Sequence, residues 1–456
     1  MDATTPPPSS SSVLLEVRRT VTLALPLILA QLAQMSASFV DTLMVGRLGN
    51  AQLAGIALGG SVFFLTFLIS GGVLFSVGPS VSQAFGSGDT KGAGRAAHQS
   101  FFLALLLAVP ALVLFSQIGR ILPLLGQQPE TVRLATGYVQ AIAWGFVPAL
   151  LTVSLRGLLE GISNPRPVMF IAFLAVGFNA LMNYLLMFGK AGFPALGLVG
   201  TGWASALSFW LSFALLAGYV YRTLPQFEVF RFRGIDTRII ATLVRIGWPI
   251  GLTLGFEVGL FSATAILMGT LGTVQLAAHQ IALQSASFTF MVPLGLASAT
   301  AVRVGQAVGR GQQAAVRRAG WTGIFMSGAV MMVSALVFWF LPERVVGLFL
   351  DVSDPQNTAV VRTAARYLAF AAAFQVVDGL QVAAAGALRG LKDTRVPMLI
   401  SLFSYWFIGF SSGLFFAFVL DMGGRGLWLG LVLGLVTAAA LLVGRFKRLP
   451  PPRAAT

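Results

Sequence analysis

Twelve apolar stretches, each long enough to cross a bilayer, leave this chain few ways to fold. They fall at about 20–42, 52–79, 97–117, 134–157, 168–188, 200–221, 240–267, 275–302, 320–341, 363–387, 396–419 and 426–444. A helix of roughly 20 apolar residues spans the hydrocarbon layer, so the pattern predicts an all-α integral membrane protein. The composition agrees: 56% of the 456 residues are hydrophobic and 10% charged, where a soluble domain has about a quarter charged. Little chain is left over for a globular enzyme. Several runs contain Pro (Pro26, Pro110, Pro148, Pro249, Pro293), which a bundle tolerates because neighbouring helices and side chains satisfy the freed backbone groups.

The net charge of +15 would suggest nucleic-acid binding in a soluble protein. Among membrane spans, basic residues report orientation instead, because cytoplasmic flanks hold the excess of Lys and Arg. Assigned to alternate sides, the 30 basic residues divide 22 against 8, which predicts cytoplasmic amino and carboxyl termini. No nucleic-acid partner is expected. There is no Cys, and the two His, His98 and His279, lie far apart, so neither a disulfide framework nor a zinc site of the usual ligands is available. The Pro/Ser-rich start, residues 1–19, reads as an uncleaved, disordered cytoplasmic arm.

An internal repeat organises the rest. LMVGRLGNAQLAGIAL (43–58) matches ILMGTLGTVQLAAHQIAL (266–283) at an offset of 223, which also maps Gly49 on Gly272, Gln83 on Gln306, Gly88 on Gly311 and Arg95 on Arg318. Further on the offset becomes 229, mapping Tyr138 on Tyr367, Gly161 on Gly390 and Arg166 on Arg395. Two six-helix lobes of parallel topology follow, related by an axis along the membrane normal: an N-lobe over 20–221, a cytoplasmic linker over 222–239, a C-lobe over 240–445 and a tail over 446–456.

Three of the fifteen acidic residues, Asp41, Glu257 and Asp378, lie inside apolar runs. An ionisable group in hydrocarbon costs at least roughly 2.5–3.5 kcal/mol on insertion scales, so it belongs where it faces a pathway. Glu257 and Asp378 fall near the midplane and Asp41 nearer the outer face; no Lys or Arg is expected at matching depth beside the first two. A carboxylate withdrawn from water is a place for a proton or a cation. A structural hydrogen bond is the competing role for each. Asn179 and Asn183, at i and i+4, share a helix face and are candidate polar anchors or interhelical hydrogen bonders. Phe256, Phe288 and Phe374, beside the two central acids, could form with Gln284 an aromatic, polar-edged cavity for a hydrophobic cation; lone aromatics and amides more often serve packing. His279 reads as structural, and GSGDTKG (86–92) as a turn and not a phosphate loop. No catalytic motif and no nucleotide-binding domain is present, so no cofactor is expected and secondary transport is the function class that remains.

The segments FVDTLMVGRLG (39–49), FEVGLFSATAILMGTLGTVQLAAHQIAL (256–283) and FQVVDGLQVAAAGALRGLKDTRVPM (374–398) resemble the multidrug and toxic compound extrusion (MATE) family, in its NorM-like branch. The resemblance covers 15–445. It implies a V of two six-helix lobes that open alternately to either side, and export of hydrophobic organic cations from a bacterial-type inner membrane by a monomer in exchange for H⁺ or Na⁺. It also implies that Asp41, Glu257 and Asp378 bind and couple the ion, with Glu257 and Asp378 as metal ligands if the ion is Na⁺, and that Asn179 belongs to an N-lobe polar cluster. Some sodium-coupled members have Tyr where this chain has Phe374, and the missing hydroxyl favours H⁺. The alternative is a lipid-linked oligosaccharide flippase on a related fold, whose anionic cargo would call for intramembrane cations.

Overall fold

A computed structural model describes residues 10–124, 126–231 and 234–449. Within them the chain is helical, with eleven helices long and apolar enough to cross a membrane, or twelve if one bent pair counts as a span. We label them α1 (Ser10–Gly46), α2 (Asn50–Gly86), α3 (Thr90–Leu124), α4 (Pro129–Ala143 and Phe146–Gly161, bent by 49°), α5 (Arg166–Phe188) and α6 (Leu198–Thr223). The second set is α7 (Thr237–Thr270), α8 (Thr273–Gly309), α9 (Gln313–Phe340), α10 (Thr358–Gly390), α11 (Arg395–Val419) and α12 (Gly424–Arg448). Pro26, Pro110, Pro249 and Pro293 all lie inside helices.

The repeat read from side chains is repeated in the backbone. Gly49 and Gly272 turn at φ 114° and 118°, Gly88 and Gly311 at 84° and 70°, Ser163 and Lys392 at 63° and 60°, and Gly197 and Gly423 at 54° and 57°. The same turns end the same helices in each half.

Two compact units emerge: one comprises Leu29–Leu254, the other Gly255–Thr456 with Met1–Ile28, each taken over its described residues. Both α1 and α7 therefore contribute to both units, and each has a proline shortly before its crossover, Pro26 and Pro249, where the ring removes a helix hydrogen bond. In the unit 29–254, Phe63 packs against Phe115 and Phe146 at ring separations of 5.8 and 5.6 Å. In the other unit, small residues let helices approach to backbone contact, as membrane bundles require. A Cβ on Gly386 would lie 2.4 Å from the Ala297 carbonyl oxygen, and one on Gly430 2.4 Å from the Gly413 Cα. The second of these joins α12 to α11, whose course is π-helical over Phe403–Phe410 and Phe415–Val419.

Both expected connections are described in part. Of the arm expected over 1–19, residues 1–9 lie outside the described residues, and the chain is helical from Ser10. Glu16 fastens this stretch: its carboxylate accepts two hydrogen bonds from the Arg303 guanidinium of α8, at 2.9 and 2.8 Å, and is buried there. The linker over 222–239, of which residues 232 and 233 are not described, is fastened to α3. The Gln99 amide donates to the Gly234 carbonyl (2.8 Å) and accepts from the Asp236 N–H (2.9 Å), the His98 Nδ1 lies 2.8 Å from the Val229 carbonyl oxygen, and Phe227 and Val229 are buried. Residues 450–456 of the tail lie outside the described residues.

Candidate functional site

The three intramembrane acids fall into two groups, one in each unit. In the unit 29–254, the second half of α1 presents Asp41 to α5. Asn183 donates from Nδ2 to the Asp41 carboxylate at 2.5 Å and to the Asn179 Oδ1 at 3.1 Å, and Asn179 donates to the Ser205 hydroxyl of α6 at 3.4 Å. The i, i+4 spacing places both asparagines on one face of α5, and both are buried. The Tyr138 phenol of α4 also interacts electrostatically with Asp41. A carboxylate that accepts a charge-assisted hydrogen bond is held in one orientation. Asn183 thus links Asp41 to Asn179, and the Asn183 Oδ1 is buried without a partner.

In the other unit, Glu257 on α7 and Asp378 on α10 interact electrostatically. Asp378 is buried and accepts from the Gln381 amide at 3.4 Å, one helical turn along α10. The Gln381 Oε1 in turn accepts from the Tyr405 hydroxyl of α11 at 2.7 Å. Tyr405 is buried and feels both carboxylates. Chains of this kind orient each member through the next, so that a change of charge at the carboxylates is felt at the phenol.

Several expectations meet a different arrangement. No cation was expected at the depth of Glu257, yet Arg389 of α10 acts on its carboxylate electrostatically. Phe374, expected to line a cavity, is 1% exposed and stacks on Trp428 of α12 at 5.7 Å and 12°. Large flat rings bury most area by stacking, and this one has no face left for a ligand. Phe256 packs partly buried against the same core, whereas Phe288 and Gln284 are exposed. His279 is fully buried with its ring 5.5 Å from that of Trp428. Ser205, Gln381, Tyr405 and Arg389 were not singled out by the sequence. Gln381 had a usable signal, three residues after Asp378; Ser205 sits among small residues and Tyr405 among aromatics, where each looks like packing. Among the described residues there is no group of three or more His, Cys, Asp or Glu side chains that could hold a metal ion.

This architecture and these sequences have relatives. The MatE family model matches residues 26–185 and 249–414. The chain is 41% identical over 443 residues to a protein of Deinococcus radiodurans described as "Probable multidrug resistance protein NorM", covering 97% of this chain and 98% of that one. A protein of Rhizobium meliloti with the same description is 41% identical over 435 residues, covering 95% and 93%. Among solved structures, the eukaryotic MATE transporter AtDTX14 superposes with TM-score 0.85 at 21% identity, over 96% of each chain. A MOP superfamily transporter from Pyrococcus furiosus gives 0.84 at 20%, covering 97% and 98%. Identities this low establish the fold alone, while the family match and the close sequence relatives go further: the chain belongs to the MatE family and is NorM-like.

Proposed function

We propose that the chain is a secondary active multidrug exporter that exchanges hydrophobic, organic cations for H⁺ or Na⁺ by alternating access, as a monomer in the inner membrane with both termini cytoplasmic. The observation that carries this reading is the pair Glu257 and Asp378, two carboxylates in electrostatic contact inside membrane-spanning helices. Such a pair is costly in a bilayer and is kept where charge is taken up and released. The multidrug-resistance descriptions of the close relatives support the substrate class.

In the outward-open state the pair takes up the coupling ion, loses its attraction for a cationic drug and lets it go. In the inward-open state it yields the ion to the cytoplasm and attracts the next cation. Arg389 offsets part of the charge at Glu257, so one proton or Na⁺ brings the group of three near neutrality. The ion and the drug need not touch at any moment. Each favours one charge state of the pair, and that differential is what shifts the two-state equilibrium. H⁺ is the preferred ion, because Phe374 brings no hydroxyl and is committed to Trp428. Asp41, held by Asn183, is a second titrating position, and the exposed Phe288 and Gln284 are available to a substrate.

The test is efflux of a fluorescent organic cation in proteoliposomes, with a pH gradient or a Na⁺ gradient imposed separately. Drive by one gradient, lost in Glu257→Gln, names the ion and supports exchange. Efflux by folded protein that ignores both gradients would sink the antiport reading.

A further inference from the structure

A second binding feature lies in the unit 29–254, and none of the three acids lines it. The end of α3 and the start of α4 enclose a cavity of about 480 Å³. Gly119 and Pro123 form its α3 wall, and Val132, Arg133, Thr136 and Gln140 its α4 wall. The helices meet closely here: a Cβ on Gly119 would lie 3.3 Å from the Thr136 methyl group. The walls are apolar, but three polar residues of α4 recur at helical spacing along its wall. Arg133 is exposed and forms no ion pair among the described residues, including with Glu130 one turn earlier. The Thr136 hydroxyl is buried with no hydrogen-bond partner. It is shut off from the cavity, whereas Gln140, one turn further along, is exposed at the opening.

Deeper in the membrane the same strip of α4 ends at an indole platform. At the 49° bend of α4, Trp144 is exposed and stacks on Trp203 of α6 at 6.3 Å, and Trp210 donates from Nε1 to the Trp144 carbonyl at 3.1 Å. That bond satisfies a carbonyl which the break in the helix sets free. Trp144 is eleven residues from Arg133, so about 16 Å separate the cation from the indoles along the helix. On α3, the exposed Leu105 and Leu112 lie within about 40° of Gly119 around the helix and continue the cavity's apolar side. A cation at one end, a polar-edged cavity beneath it and an apolar track of half a bilayer's length describe an amphiphile with an anionic head.

We propose that this cavity seats the phosphate-bearing headgroup of an anionic phospholipid, held by Arg133 and the Gln140 amide, with its acyl chain running along α3 and α4 to the tryptophans. In the orientation proposed above the lipid comes from the outer leaflet. An arginine pairs with phosphate through two parallel N–H bonds, and basic pockets among membrane helices select anionic headgroups.

The test uses the full chain purified in detergent, titrated with phosphatidylglycerol or with phosphatidylcholine of the same acyl chains, and counts bound lipids by native mass spectrometry. Phosphatidylglycerol is retained over phosphatidylcholine, Arg133→Gln weakens its binding roughly fivefold, and Gln140→Leu weakens it less. Lys190→Gln, a basic residue outside the cavity, leaves it unchanged. Equal retention of both lipids, or wild-type retention by Arg133→Gln with the protein folded, would overturn the proposal. A parallel titration with glycerol phosphate separates the sources: binding of that soluble anion with no preference among lipids would assign the cavity to free phosphate and overturn the lipid assignment.

Discussion

The two repeats share a backbone and differ in where they place charge. At the repeat offsets, Glu257 corresponds to Gln34, Asp378 to Ala149 and Asp41 to Thr264. The polar groups are thus not duplicated. The first repeat gathers its acid with α5 and α6 amides and hydroxyls, the second gathers two acids with an α10 amide and an α11 phenol. The helices diverge in the same places: α4 bends at Trp144 and Gly145, whereas its counterpart α10 runs unbroken with Phe374 at the position of Gly145, and α5 is regular where α11 is π-helical. π-Helical turns recur at functional sites because they re-aim side chains out of register, and here one presents Tyr405 to Gln381. Duplication supplies a frame, and local departures from it supply chemistry.

The largest expected effects test whether charge belongs to position or to repeat. Glu257→Gln and Asp378→Asn each bring gradient-driven efflux in proteoliposomes down to that of protein-free vesicles, and Gln34→Glu added to Glu257→Gln restores nothing, because Ala149 offers no second acid. Restoration would mean that the repeats are interchangeable. Next, Asn183→Ala, which removes a hydrogen bond to a carboxylate, costs about 1.5–3 kcal/mol of stability. It slows efflux partly, and Asp41→Asn combined with it costs less than the two single changes together, since the pair acts as a unit. Additive losses in that cycle would show that Asn183 serves something other than Asp41.

Packing gives the third contrast. Gly430→Ala forces a methyl group into the Gly413 backbone and costs about 1–3 kcal/mol in denaturation. The same change at Gly177 in α5, which faces open space, stabilises by about 0.5–1 kcal/mol. Last and smallest, Ser163→Gly and Lys392→Gly relieve matching left-handed turns, for gains of about 0.5–1 kcal/mol each. Lys392 gains more, because burial also lowers the pKa of its ammonium group. That extra penalty is present at neutral pH and fades as pH rises toward the ordinary 10.5, so the advantage of Lys392→Gly over Ser163→Gly shrinks in alkaline denaturation series.

The spans were legible because length and hydropathy are properties of single segments, and the acids because charge in an apolar run stands out against its neighbours. What neighbours an acid is a tertiary matter. Arg389 sits eleven residues from Asp378 and reads as a loop flank, yet its charge is felt at Glu257 on another helix. Phe374 stands four residues from Asp378, on the same face by helical spacing, but the Trp428 ring that covers it arrives from α12. Ser10 to Arg19 read as an arm because Pro and Ser dominate what precedes them, while the partner that fastens Glu16 is 287 residues away.

That separation has a consequence for biosynthesis. The first turns of α1 leave the ribosome long before α8 exists, and at about 5–20 residues per second the interval is roughly a quarter of a minute to a minute. Through it Glu16 has no guanidinium to meet, in a segment entering or touching the bilayer. The opening turns of α1 are therefore made long before the partner that fastens them, and an Arg303→Gln chain would complete its later helices with those turns untethered.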